Sequence, residues 1–424
     1  MKHLSFLLVI ACASSNAQIS VVQQRAMENH PAIASARAGA RALAAKGRQE
    51  EAPFRPMVSL TGIAAKGDDN MIFASTVDPR AYIMAAGDPT GIGAVMAMWT
   101  IYSGGRDRSA AAYANSLGVE GEAMVETARL DVLRDVRVAY AQAMDARGLH
   151  ESTFVGLEAA EELLRITEQM YQAGSAPEAF VLKARAGLEG AKRARALSDA
   201  SLRAALAVLE EASFTNLEEV RLEDWDIDLT APATREDAMR QAESRPEMRL
   251  AEARRQAALA QARKARQSAY PELNLVGYGQ GVTTENESDA FYKLGVMLSV
   301  PLIDGGLRRA QADEMTAIAN QAEQEKTLTW MRISREVNSA WPKWQAAPEV
   351  VRSSEAEVVS AHEAYRIARL RYQEGKAPQV EVDQAATDLV NAIAAAAEAN
   401  AFQRIAWANL MRAVGKSNDQ EDRK

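Results

Sequence analysis

A strand-like run that ends in Gly-Gly and opens a helical pattern of nearly seventy residues occurs twice in this chain. The first copy reads Trp99-Thr100-Ile101-Tyr102-Ser103-Gly104-Gly105-Arg106, the second Val300-Pro301-Leu302-Ile303-Asp304-Gly305-Gly306-Leu307. In each, Ser103 or Asp304 precedes the glycines, so its side-chain oxygen is placed to accept from free N–H groups of the first helical turn. The glycines permit the sharp change from extended to helical backbone. Two such junctions at matching places in the two halves indicate a duplicated architecture.

From these turns the halves align at an offset of 201, and Gly104 to Tyr171 and Gly305 to Tyr372 are both 67 residues. At 1.5 Å per residue such a helix is about 100 Å long, which implies coiled-coil packing rather than a globular core. Val358, Ala361, Tyr365, Ala368 and Tyr372 form a 3-4 seam, with Leu157, Ala160, Leu164, Thr167 and Tyr171 as counterparts. The second long helix is expected to break near Trp341-Pro342 and Pro348, because proline removes a helical hydrogen bond and clashes with the preceding turn. Both end in reversals, Tyr171-Gln172-Ala173-Gly174-Ser175-Ala176-Pro177 and Tyr372-Gln373-Glu374-Gly375-Lys376-Ala377-Pro378. The second return helix carries Val382, Ala385, Leu389, Ala392, Ala396, Ala399, Gln403, Ala406 and Leu410 at heptad spacing.

Upstream of each Gly-Gly turn lies a hairpin. Pro31 to Pro56 and Pro246 to Pro271 each span 25 residues and frame a helical pattern, after which the alternation changes to period two. Leu294, Val296, Leu298 and Val300 fall on one face, opposite Lys293, Gly295, Met297 and Ser299; Val95, Ala97, Trp99 and Ile101 do the same in the first half. Strands of ~10 residues suffice to cross a bilayer at a tilt. The first hairpin's loop, with Gly67-Asp68-Asp69, Met71-Ile72-Phe73 and Gly87-Asp88-Pro89, is longer by 14 residues and is expected to be a structured surface loop.

Residues 1–17 read as a secretory leader: Lys2, an apolar run from Leu4 to Ala13, and Ser15-Asn16-Ala17 as the cleavage site. Val9-Ile10-Ala11-Cys12 also resembles a lipoprotein box, in which Cys12 would be lipidated; simple cleavage is preferred because the region before Cys12 is short. Cys12 is the only cysteine, so an internal disulfide is excluded. No later run reaches the roughly 18–20 apolar residues of a spanning helix, leaving a soluble exported protein or a β-barrel. With a net charge of −8 and no basic stripe among aromatics, nucleic acid is not an expected partner.

The expected organisation is a leader (1–17), a first repeat (18–214), a linker (215–234), a second repeat (235–415) and a polar tail (416–424). In the first repeat the hairpin falls at about 56–103, the long helix at about 105–173 and the return helix at about 178–214. In the second they fall at about 271–303, 305–374 and 379–413. The fold class is therefore an α+β membrane protein with an internal two-fold repeat. Four strands cannot close a useful barrel, and their edges and the helical seams call for two, three or four copies.

The chain resembles the TolC family of bacterial outer membrane efflux proteins. Asn29-His30-Pro31, Arg245-Pro246 and Pro301-Leu302-Ile303-Asp304-Gly305-Gly306 match the family's motifs, and the likeness covers nearly all of residues 19–415. The resemblance implies a homotrimer: a 12-strand barrel in the outer membrane continuing into a 12-helix coiled-coil tunnel in the periplasm. It also implies a periplasmic adaptor and an inner-membrane pump of the RND or ABC type as partners. Family members carry acidic rings at the tunnel constriction. Glu381 falls on such a position, Gln384 replaces the acid expected three residues on, and Asp383 sits on another helical face; Glu381, Gln384, Asp388 and Asn391 recur at 3-4-3 spacing as a polar stripe or simply a solvated face. The resemblance places adaptor docking around Gly174, Ser175, Pro177, Gly375, Lys376 and Pro378, which otherwise only reverse the chain.

Met57, Met71, Met84, Met96 and Met98 could offer soft-metal contacts, although methionine more often fills irregular packing. His30, His150 and His362 are widely separated, and no catalytic motif, cofactor motif or metal motif is present. The leading expectation is a passive exit duct that exports small molecules such as drugs or metal ions. Its alternatives are a type I protein secretion duct and, in a different class, a soluble periplasmic coiled-coil scaffold; an envelope hydrolase lacks a catalytic constellation.

Overall fold

The computed structural model describes residues 18–65, 71–74, 82–85, 90–216, 222–223, 225, 228–283 and 288–417. The expected leader with Cys12, Gly67-Asp68-Asp69, Gly87-Asp88-Pro89, part of the linker and the tail beyond Ser417 lie outside these residues. In chain order the elements are α1 (Ile19–Asn29), α2 (Pro31–Glu51), a 3-10 turn (Ala52–Phe54), β1 (Met57–Ala65), β2 (Met71–Ala74), β3 (Tyr82–Ala85), β4 (Thr90–Tyr102), α3 (Arg106–Gln172) and α4 (Glu178–Ser213). There follow α5 (Arg235–Ala242), α6 (Pro246–Gln267), β5 (Glu272–Thr283), β6 (Ser288–Ser299), α7 (Leu307–Gln373) and α8 (Gln379–Val414). The fold is mostly helical, with one four-stranded antiparallel sheet. No described helix is long and apolar enough to cross a membrane.

Two compact units partition the chain. One comprises Ala38–Ala123 and Met248–Thr329; the other takes the residues up to Arg37 with Met124–Glu247 and Trp330–Lys424. The first holds the sheet, in the order β1-β4-β5-β6, with β1 and β6 as its edges. A separate small hairpin, β2–β3, pairs Met71 with Ala85 inside the first hairpin's loop. Met57 faces Met98, Met98 faces Val276, and Val276 faces Gly295, so the register runs unbroken across all four strands at this level.

In the second unit α1 and α2 meet at His30, where Pro31 starts α2 with a φ already suited to a helix. Ile19, Val22 and Ala26 bury one face of α1 against Val132, Val136, Tyr140 and Leu209. Small residues let α3 and α8 approach closely. A Cβ at Gly148 on α3 would lie 2.3 Å from Ala397 Cβ on α8, a helix approach that only glycine permits.

The expected break in the second long helix is wrong. α7 runs through Pro342 and Pro348 without interruption. Each proline forfeits a hydrogen bond, at about 3 kcal/mol or more. Val337 and Ala347 are completely buried and Ala340 nearly so, and tertiary burial of this kind, with long helix on either side, sustains the element. The two seams also differ. Tyr372 is 2% exposed and clusters with Leu163, Ile166, Ala368 and Val382, whereas its counterpart Tyr171 is 46% exposed. Thr167 and Tyr372 share a 3.1 Å hydrogen bond, so the buried tyrosine of the second seam occupies the space between the helices.

Candidate functional site

Alternation along the strands sorts the sheet into two chemically different faces. One face carries Val58, Leu60, Val95, Ala97, Trp99, Leu273, Leu275, Tyr292, Leu294, Val296 and Leu298. Val58, Leu60, Tyr292, Leu294, Val296 and Leu298 are each more than 60% exposed. The opposite, more polar face carries Ser59, Thr61, Thr100, Asn274, Gln280 and Lys293 together with Ile63, Ile92, Val276 and Phe291. Thr100 Oγ1 donates to Asn274 Oδ1 at 2.8 Å, and Asn274 Nδ2 donates to Glu272 at 3.0 Å. Arg106 on α3 then pairs with Glu272, tying the sheet to the helix that leaves it.

The strand-to-helix turns are built as capped corners. Ser103 Oγ accepts from the Asp107 N–H at 3.1 Å and donates to the Asp107 carboxylate at 2.7 Å. Asp304 accepts from the Gly306 and Arg308 N–H groups at 3.0 and 3.1 Å. The Ser103 hydroxyl beside Asp107 and the Arg308 N–H beside Asp304 hold both carboxyls below the usual carboxylate range. Gly104 and Gly105 have φ of 65° and 92°, Gly305 and Gly306 65° and 88°, a region in which any side chain is strained.

At the far end of the long helices, the Gly174 N–H reaches the Tyr171 carbonyl at 2.9 Å and the Ser175 N–H the Met170 carbonyl at 2.9 Å. Gly375 and Lys376 repeat the pattern on Tyr372 and Arg371 at 2.9 and 2.8 Å. Pro177 and Pro378, in extended conformation, start α4 and α8. Beyond the turns the candidate acids are engaged rather than free. Glu381 pairs with Arg371 at 2.7 Å, and Asp383 pairs with Lys183 at 2.9 Å. Gln384 Nε2 donates to Asp388 at 2.8 Å, both exposed on α8. These partners went unseen in the sequence, because Arg371 and Lys183 lie on other helices.

A buried ionic cluster was missed altogether. Arg245, with 2% of its side chain exposed, grips Glu247 through two nitrogens at 2.8 and 3.1 Å and Glu336 on α7 at 2.6 Å. Arg412 on α8 reaches the same Glu247 and also Asp131 on α3 at 2.7 Å. Burial alone would raise the Glu247 carboxyl, but the Arg245 hydrogen bonds and the charges of both arginines outweigh it and hold the pKa at about 2. Elsewhere in this unit Trp225 from the linker stands edge-on to both Tyr140 and Trp407, and Arg137 lies 4.8 Å over the Trp407 ring. The only hint in the sequence was Arg245-Pro246 at the head of α6.

His30 accepts from the Ala32 N–H and His150 meets Ser198 at 3.1 Å, so the histidines are not brought together. Among the described residues no group of three or more His, Cys, Asp or Glu is placed to hold a metal. Met57, Met96 and Met98 share the polar face of the sheet; the side chains of Met71 and Met84 lie outside the described residues.

VceC from Vibrio cholerae superposes with a TM-score of 0.78 at 20% identity, covering 95% of this chain and 97% of that one. CusC superposes at 0.79 with 16% identity over 95% and 93%, and the CmeC outer membrane channel of Campylobacter jejuni at 0.77 with 17% identity over 96% and 88%. Identities this low make the likeness one of fold. No curated protein sequence matches the chain. The sequence profile described as outer membrane efflux protein matches residues 22–213 and 240–416. With both halves matched in this way, the chain belongs to the outer membrane efflux protein family.

Proposed function

We propose that the protein is the passive outer-membrane exit duct of a tripartite pump, working as a homotrimer. The observation that carries this reading is the sheet: one face exposed and apolar, the other more polar, and both edges without a strand partner among the described residues. Leaving the six most exposed apolar side chains in water forgoes roughly 9–18 kcal/mol of transfer free energy, as much as the whole stability of an ordinary domain. Lipid supplies the missing cover. The β6 edge of one copy pairs with the β1 edge of the next, three sheets giving a closed 12-strand barrel, because an open edge of twelve residues invites uncontrolled pairing. The matching lengths of α3 and α7, 67 residues each, and of α4 and α8, 36 each, support a duplicated half and a 12-helix periplasmic tunnel.

In this reading the reversals at Gly174-Ser175-Pro177 and Gly375-Lys376-Pro378 meet a periplasmic adaptor, and Glu381, with Asp383, Gln384 and Asp388 nearby, lines the periplasmic constriction. An inner-membrane transporter of the RND or ABC class supplies the energy. The test is light scattering and gel migration of protein extracted from outer membranes, followed by planar-bilayer recording. Three chains per particle, migration altered by boiling, and conductance are expected. A water-soluble monomer whose strands are helical or unstructured overturns the proposal in favour of a periplasmic scaffold.

A further inference from the structure

The four methionines of the four-stranded sheet, Met57, Met96, Met98 and Met297, all project from its polar face and none from its apolar face. On that face the thioethers stand among Ser59, Thr61, Thr100 and Asn274 and beside the apolar Val276, the direct partner of Met98. Met57 remains 42% exposed.

Three of the four form one patch. Met57 and Met98 are direct cross-strand partners, which puts their Cβ atoms about 4.5–5.5 Å apart. Met96 is two residues from Met98 on the same strand and diagonal to Met57, about 7 Å from each. Methionine is unbranched with three rotatable bonds, so three sulfurs on this spacing can converge on one point. The donors are uniformly soft and uncharged. Glu272, the carboxylate at this end of the face, is already taken by Arg106 and Asn274.

We propose that Met57, Met96 and Met98 form a three-thioether site on the polar face of the sheet that takes a soft monovalent cation, Cu(I) or Ag(I). Thioethers favour such ions, whereas divalent cations of the zinc, calcium or magnesium type need imidazole, thiolate or oxygen ligands. A site without charge holds its ion weakly enough to release it, as a conducting path requires. The role as a station on the export route rests on the duct reading above; the binding site itself does not.

The probe is Ag(I) as its nitrate, titrated in chloride-free buffer into detergent-purified full-length protein. Wild type is expected to bind one more Ag(I) per chain than M57L/M96L/M98L, with only sulfur neighbours in X-ray absorption at the silver edge. M297L is expected to retain that site. Leucine replaces methionine at nearly constant volume, and circular dichroism checks that the triple variant keeps its strands. Equal Ag(I) binding by wild type and the triple variant, or oxygen and nitrogen neighbours at the silver, overturns the site. Conductance of wild type without silver is recorded separately: its absence sinks the duct reading and leaves the binding result standing.

Discussion

Arg371 on the last turn of α7 and Glu381 on the first turn of α8 close the chain reversal with a 2.7 Å ion pair. Both side chains reach solvent, at 51% and 36% exposure, so the pair contributes little to stability. Its effect is on charge: the cation masks a carboxylate that would otherwise face the proposed constriction. R371A is expected to raise the cation preference of the proposed trimeric channel severalfold, and E381Q to lower it. Reversal potentials across a salt gradient measure both. Unchanged selectivity in the two variants would remove Glu381 from the pore lining.

The two Gly-Gly corners are alike in backbone but unlike in surroundings. A Cβ at Gly104 would stand 2.5 Å from Tyr270 Cβ, while nothing lies within 4 Å of one at Gly305. Left-handed backbone costs an alanine about 1–2 kcal/mol at either position. G305A is expected to lose only that amount, and G104A clearly more, because the chain must shift off Tyr270. Thermal denaturation of the two variants side by side gives the comparison; equal melting temperatures would contradict it.

Much of this arrangement is legible in the chain because its causes are local. The capping hydrogen bonds of Ser103 and Asp304 need only their own next four residues. The heptad through Val382, Leu389, Ala392, Ala399, Ala406 and Leu410 marks the buried face of α8. What escaped the sequence depends on distant partners. Pro342 and Pro348 obey a local rule that burial of Val337 and Ala347 overrides. Tyr171 and Tyr372 stand at matching offsets in the sequence, but only Tyr372 fills the space beside Thr167. No spacing announces that Arg412 will meet Asp131 and Glu247, which are far away in the chain. The 3-4 pattern Ile19, Val22, Ala26 of α1 was available, though it adjoins the apolar run of the expected leader.

Glu247 sets an acid limit on the helical unit. Its carboxyl is depressed in the folded state from 4.5 to about 2, so its contribution is complete above the unfolded value and is lost as pH falls through the folded one. The shift corresponds to about 3 kcal/mol. Stability is therefore expected to decline between about pH 4.5 and pH 2. In E247Q, where Arg245 and Arg412 lose their shared anion, stability at neutral pH is expected to fall by about 3–5 kcal/mol, and this part of the acid dependence to vanish. Denaturant titrations at stepped pH test both expectations. A variant as stable as the wild type at pH 7 would show that Glu336 and Asp131 suffice for the two arginines.

Leu294 and Gly295 are neighbours on β6 that face opposite sides of the sheet, Leu294 76% exposed on the apolar side and Gly295 on the side that already bears Lys293. If lipid covers the first side and water the second, the same substitution has opposite consequences one residue apart. Arginine on the lipid face near mid-bilayer costs about 2–4 kcal/mol per chain, incurred three times in a trimer. At Gly295 nothing lies within 4 Å of an added Cβ, and a guanidinium there projects into the proposed water-filled interior. L294R is expected to abolish the heat-modifiable assembled form in outer-membrane extracts. G295R is expected to assemble and to shift conductance toward anions. Assembly of both variants in equal yield would mean that the apolar face meets something other than lipid.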